Sequence, residues 1–208
     1  GLFDIAYLRS IPNLVFMAPK DENELQHMLY TALQLEQPVA IRYPRGSGLG
    51  VPIDQEFSSL PVGVAEVLRH GSHATLVAIG NTVAPAREAA ERLAAEGITC
   101  TVVNSRFIKP LDVQTLRDCV ATTQLLVTIE EHVLSGGFGS AVLETLAAQG
   151  LQPPVIRLGI PDVFVEHGSQ KQLRAQYHID ADGIVATVHN FLRTQGSFRG
   201  TELLRAAR

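Results

Sequence analysis

The residues best suited to chemistry in this 208-residue chain fall in four short stretches. In "RYPRG" (42–46) an arginine follows Pro44 at the end of an apolar run and precedes Gly46, Gly48 and Gly50. A guanidinium on such a loop presents a planar fork of donors that matches a phosphate or a carboxylate. The apolar run reads as a parallel strand, and open α/β sheets bind ligands beyond the carboxyl ends of their strands. Arg45 is therefore the candidate anion contact; the alternative is a surface ion pair of little energetic weight. Arg42, within the strand, is expected to pair with a neighbouring element.

In "IEEHVLSGGFGS" (129–140), Glu130, Glu131 and His132 set two carboxylates beside an imidazole, the raw material of an acid/base pair. Neighbouring strand residues point to opposite faces, so at most two of the three share a site, and a solvated strand end is the expectation. Gly137 and Gly139 match two glycines of Gly-x-Gly-x-x-Gly, but Val142 occupies the third position and no Lys-Ser or Lys-Thr follows. Free amides at a helix start attract anions. A close-packed turn from strand to helix is nevertheless preferred over a phosphate cradle, because the dinucleotide turn belongs to the first βα unit and this one comes late.

In "RFIKPLD" (106–112), Arg106 and Lys109 sit on a loop, while Pro110 and Asp112 suit the start of a helix. In "GIPDVFVEHGSQKQL" (159–173), Ser169 is placed to cap a helix and His167 reads as a turn residue. The remaining histidines, at 27, 70, 73, 178 and 189, show no metal-ligand spacing.

The elements that must hold these groups follow from periodicity. Leu2, Phe3, Ile5, Ala6 and Leu8 form an apolar helical stripe, and residues 14–17 a short strand. Asp21 is set to cap the next helix with Glu24 reaching back to its amide, and Leu25, Met28, Leu29, Ala32 and Leu33 recur at helical spacing. A strand at 39–43 completes a βαβ unit. Residues 44–61 read as a linker or long surface loop, which puts a domain boundary near residue 57. Strands at 63–68 and 74–79, a helix at 82–97, a strand at 99–104, a helix at 111–122, a strand at 124–130, a helix at 138–150 and a strand at 154–159 follow, then helices at 169–177 and 180–193. Such alternation predicts an α/β fold with a mostly parallel five-stranded sheet and helices on both faces.

Composition narrows the classes. With 46% apolar and 18% charged residues the chain can build a real core, and a net charge of −4 without Lys/Arg runs lacks the footprint of a nucleic-acid binder. Its apolar runs fall short of the roughly 20 residues that span a bilayer. Cys100 and Cys119 read as buried, reduced thiols, which suits the cytoplasm. The opening at Gly1, inside an apolar stripe, leads to the expectation of a fragment or a processed chain.

The four stretches, in this order and at these separations, together with the opening "GLFDIAYLRSIPNLVFMAPKDENELQHML", resemble the carboxyl-terminal third of the 1-deoxy-D-xylulose-5-phosphate synthase family, in the transketolase superfamily. The likeness runs to about residue 194. It implies the end of a pyrimidine-binding domain (1–56), a transketolase C-terminal-like domain (57–194) and a disordered or non-native tail (195–208). It also implies a transferase that uses thiamine diphosphate and Mg2+ to decarboxylate pyruvate and join the two-carbon remnant to glyceraldehyde 3-phosphate, the start of isoprenoid synthesis by the methylerythritol phosphate route. The second arginine of the family's Arg-Tyr-Pro-Arg-Gly motif, which holds the substrate's phosphate, falls on Arg45.

The family's Gly-Asp-Gly and Asn, which hold magnesium and diphosphate, and its catalytic Glu have no counterpart here. No catalytic, cofactor-binding or metal-binding residue is therefore assigned, and the chain alone is expected to be inactive. A cytoplasmic homodimer is implied, with the glycine turn shaping subunit contacts more than chemistry. Two alternatives share these features: a β-type subunit of a 2-oxo acid dehydrogenase, and a non-catalytic assembly module.

Overall fold

In the larger sheet the central strands are buried on both faces, so helices must cover both. The strands are β3 (Glu66–Arg69), β4 (Ala74–Ala78), β5 (Cys100–Asn104), β7 (Leu126–Val133) and β8 (Val155–Ile160), in the order β3-β5-β4-β7-β8. This is a computed structural model, describing the backbone of residues 1–206 and the side chains of 1–194. All pairings are parallel except that of the edge strand β3 with β5. Alternation along each strand sorts side chains between two cores. Leu76, Val102 and Val127 pack with Ala86, Ala90 and Leu93 of α3 (Val83–Ala95) and Ile184 and Val188 of α7 (Ala181–Ala206). Val77, Val103 and Leu126 pack with Leu116 of α4 (Val113–Thr122) and Phe138 and Val142 of α5 (Phe138–Ala148). Cys100 and Cys119 are buried free thiols, and burial pushes Cys100 up to about 11.

The first part is the expected βαβ unit: β1 (Val15–Met17), α2 (Glu22–Gln34) and β2 (Val39–Ile41), with β1 and β2 parallel. The opening helix, α1, is confined to Asp4–Leu8 and buries Ile5 alone. The sequence reading missed a third strand. Residues 107–109 form β6 (Phe107–Lys109), which pairs antiparallel with β1 and carries the small sheet across from the later part of the chain. Asp112 caps α4 as expected, accepting from Thr115 N–H at 2.9 Å.

The face assigned to α2 needs correction. It buries Glu24, His27, Met28 and Thr31, while Leu33 is 84% exposed and Leu29 is also exposed. Of the buried polar groups, His27 and Thr31 are satisfied by the loop at 44–61, which is stitched to this helix along its length. The amides of Leu49, Gly50 and Val51 donate to Glu22. His27 pairs with Asp54 and accepts from Ser58 N–H, and Thr31 Oγ1 accepts from Leu60 N–H. Asp21 caps α2 by accepting from Glu24 N–H, but Glu24 does not close the expected box: it takes the Lys20 amide at 2.7 Å. The expected tail at 195–208 lies outside the residues described with side chains.

Candidate functional site

Arg45 follows Pro44 just beyond β2, where the parallel pair β1 and β2 ends. Its side chain is exposed, makes no ion pair among the described residues, and borders a cavity of about 350 Å3. The cavity also meets Arg42, Tyr43, Glu131, Leu173 and Arg174, so both parts of the chain line it. A second cavity of about 320 Å3 lies on the other side of the loop, walled by Lys20, Gly48 and Asn81 and sharing Tyr43, Pro44, Gln170 and Arg174 with the first.

Arg42 pairs with a neighbouring element, as expected. Its Nε donates to Asp4 Oδ2 at 2.8 Å, and its Nη2 donates to the carbonyls of Gly1 (2.9 Å) and Glu131 (2.7 Å). Arg45, by contrast, makes no ion pair among the described residues and stays exposed at the cavity. On the far wall α6 (Gln170–Gln176) starts at Ser169, which closes a capping box with Gln172. Arg174 of α6 pairs with Glu131, and Glu131 Oε2 accepts from Asn81 Nδ2 at 2.8 Å. Gln170 Nε2 donates to the Arg45 carbonyl at 2.9 Å. The sequence reading singled out neither Gln170, Arg174 nor Asn81. Gln170 lies within the stretch at 159–173 and Arg174 just beyond it, one helical turn apart on the helix expected at 169–177, but that spacing alone does not name a partner.

Glu130 and His132 are not a solvated strand end: both are 0% exposed. β7 runs three residues past its expected end, and its last turn is roofed by α1 and α5. Glu130 accepts from the amides of Phe138 (2.6 Å) and Gly139 (2.8 Å) at the start of α5, so the anion drawn to that helix end is the chain's own carboxylate. Burial pushes Glu130 up to about 7 against those two donors. Burial likewise pushes His132 down. Its Nδ1 donates to the Val133 carbonyl at 2.7 Å, and its Nε2 accepts from Ala6 N–H at 3.3 Å. Both ring nitrogens and both carboxylate oxygens of the pair are engaged inside the fold, and neither residue lines the cavity beside Arg45. The glycines here serve packing, for Gly137 has no room for a Cβ.

A pH dependence follows. A carboxyl raised in the folded state stabilises the protein fully below its unfolded value near 4.3 and loses that contribution as pH rises through about 7. Urea unfolding across this interval is expected to show a fall in stability that Glu130→Gln flattens. Equal slopes for parent and variant would assign the charge-sensitive step to another group.

Arg106 and Lys109 do more than precede a helix. Arg106 joins a half-buried network, with Nε 2.7 Å from Glu24 Oε1 and Nη2 3.2 Å from Glu66 Oε2, while Lys109 Nζ donates to the carbonyls of Arg9 and Ile11. His167 lies exposed in a bend before α6, as a turn residue would.

Comparison with known proteins agrees with this layout. The family described as "Transketolase, C-terminal domain" matches residues 63–184, and "Transketolase, pyrimidine binding domain" matches residues 1–49. A 1-deoxy-D-xylulose-5-phosphate synthase of Geobacter metallireducens is 57% identical over 93% of this chain and 31% of its own length. One from Thermomicrobium roseum is 56% identical over 94% of this chain and 31% of its own. The chain thus spans about a third of the length of these curated relatives. A solved structure described as "Split gene transketolase, inactive beta4 tetramer" superimposes with a TM-score of 0.77 at 33% identity, covering 91% of this chain and 61% of that one. Among the described residues no helix is long and apolar enough to cross a membrane. The family match over more than half its length, with the pyrimidine-binding match before it, shows that the chain belongs to the transketolase family and carries the carboxyl-terminal part of such an enzyme.

Proposed function

We propose that this chain is the carboxyl-terminal segment of a 1-deoxy-D-xylulose-5-phosphate synthase. The whole enzyme would use thiamine diphosphate to condense pyruvate with glyceraldehyde 3-phosphate, releasing CO2. The observation that carries the reading is Arg45: an exposed guanidinium, without an ion pair among the described residues, at the carboxyl end of a parallel strand pair and over a cavity. In this role it grips the phosphate of glyceraldehyde 3-phosphate, while the reacting carbonyl is presented to groups outside this chain.

The residues here do not fit the cofactor itself. Among the described residues no group of three His, Cys, Asp or Glu is placed to hold a metal ion. The carboxylates that line the first cavity, Asp4 and Glu131, are already paired with Arg42 and Arg174. Magnesium and diphosphate therefore belong on the remaining two thirds of the enzyme, and this chain alone neither binds thiamine diphosphate nor turns over pyruvate. Calorimetric titration of the isolated chain giving micromolar cofactor affinity would overturn that part. The related split-gene transketolase chain, described as an inactive tetramer, supports it. The exposed Leu29 and Leu33 of α2 support burial against another subunit or domain, as in a homodimer.

The decisive experiment uses an enzyme assembled from this chain and the amino-terminal portion of its relatives. Arg45→Ala is expected to raise KM for glyceraldehyde 3-phosphate by about 20-fold, the loss of one charged hydrogen-bonding group, and to leave KM for pyruvate in place. An unchanged KM for the phosphorylated substrate would remove Arg45 from the site.

A further inference from the structure

We infer that Gln170, on α6 of the C-terminal domain, is a positioning residue for Arg45, so that affinity for the substrate's phosphate is set partly from across the domain boundary. The inference rests on the reading of Arg45 as the phosphate contact.

The loop bearing Arg45 is fixed at both ends. Arg42 N–H donates to the Met17 carbonyl, and the amides of Leu49, Gly50 and Val51 converge on Glu22. Between Tyr43 and Gly48, the hydrogen bond from Gln170 Nε2 to the Arg45 carbonyl is the only one reaching the loop from another element among the described residues. It lands on the residue whose side chain must be aimed. Gly46 leaves the amide its place, since a Cβ there would stand 3.3 Å from Gln170 Nε2. Ordering several loop residues costs conformational entropy, and one fixed point midway removes much of that cost before a ligand arrives.

The orientation of the Gln170 amide is itself determined. Its Oε1 lies 3.5 Å from Arg174 Nη2, and its Nε2 faces a carbonyl. Flipping the amide would set donor against donor and acceptor against acceptor. Arg174 is held by Glu131, and Glu131 by Asn81. A continuous line of polar contacts thus runs from the carboxyl ends of β4 and β7, through α6, to the Arg45 backbone. The C-terminal domain contributes to substrate affinity through this line without touching substrate.

The test is kinetic, in the assembled enzyme. Gln170→Met keeps length and helix propensity but loses the donor; at this exposed position it leaves the fold intact. It is expected to raise KM for glyceraldehyde 3-phosphate about fivefold, with kcat and KM for pyruvate unchanged. It should leave use of unphosphorylated D-glyceraldehyde untouched, and add nothing in an Arg45→Ala background, because the two residues act as a unit. An unchanged KM, an equal loss with D-glyceraldehyde, or an undiminished effect in the Arg45→Ala background would each overturn the positioning role. Arg45→Ala without effect would instead overturn the phosphate contact on which it rests.

Discussion

Gly137→Ala is expected to lower the melting temperature by about 10 °C. Gly137 caps α5 with φ −75° and ψ −162°, angles open to any L-residue, so the penalty is steric and owes nothing to backbone preference. A Cβ there would stand 2.8 Å from His132 Nδ1, and closer still to Glu130 Oε2 and the Val133 carbonyl oxygen. None of these can retreat cheaply. Glu130 is tied to two amides, His132 to the Val133 carbonyl and to Ala6. Room for the methyl therefore comes from breaking buried hydrogen bonds. Overpacking costs about 1–3 kcal/mol and each buried group left unpaired about as much again, or roughly 4 kcal/mol together. At about 2–4 °C per kcal/mol in a protein of this size, that is the shift stated. Gly150→Ala is the control: its φ of +69° carries a strain of roughly 1 kcal/mol, but nothing lies within 4 Å of the added Cβ. Scanning calorimetry showing both variants within 3 °C of each other would mean that the turn at Gly137 yields without cost.

How far the sequence announced this arrangement depends on the kind of signal involved. Strands buried on both faces produce apolar runs such as those of β4 and β5, and alanine-rich α3 repeats every 3.6 residues, so the larger sheet and its helices were legible. Helix α2 misled because its buried face is half polar. His27 and Thr31 look like solvent positions until the loop at 44–61 supplies their partners, and no local pattern reveals a partner some 30 residues away. Strand β6 was hidden likewise: three residues before a proline read as a loop, and only the distant β1 makes them a strand. Arg45 could be picked out since Pro44, the glycines and the strand before it are all local. Gln170 could not, because its hydrogen-bond partner is a carbonyl 125 residues away. For Glu130 and His132 the chemistry of the types was legible, but burial decides whether such a pair works on a substrate or holds a helix in place.

The same lesson bears on Glu24, a carboxylate expected to reach back to the Asp21 amide that is instead buried, 3% exposed, among partners from distant elements. It receives the Lys20 amide, Lys20 Nζ at 3.3 Å, Asn104 Nδ2 at 2.8 Å and Arg106 Nε at 2.7 Å. Glu66 shares three of these partners: Lys20 Nζ at 2.9 Å, Asn104 Nδ2 at 3.1 Å and Arg106 Nη2 at 3.2 Å. Burial pushes the Glu66 carboxyl up, but Lys20, Asn104 and Arg106 outweigh it and hold it below the usual range. Two carboxylates thus balance two cations where α2 meets the ends of β3 and β5, which makes the cluster a bolt between the two parts of the chain. Glu24→Ala leaves Lys20 and Arg106, both mostly buried, sharing one carboxylate, and leaves a void. Breaking such a pair from one side costs about 3–5 kcal/mol, because the cost is that of the charge left behind. The melting temperature is expected to fall by about 10 °C, and by about half as much for Glu24→Gln, which keeps the volume and one acceptor. Since the network is shielded from solvent, the loss should persist in 1 M salt, where the Debye length is about 3 Å and exposed pairs contribute little. Hydrogen exchange supplies the sharper reading: α2 amides should lose protection in the variant while those of α5 keep theirs, as expected when the bolt is drawn and the larger sheet stays folded. Uniform loss across both helices would show instead that Glu24 stabilises the protein as a whole and joins nothing in particular.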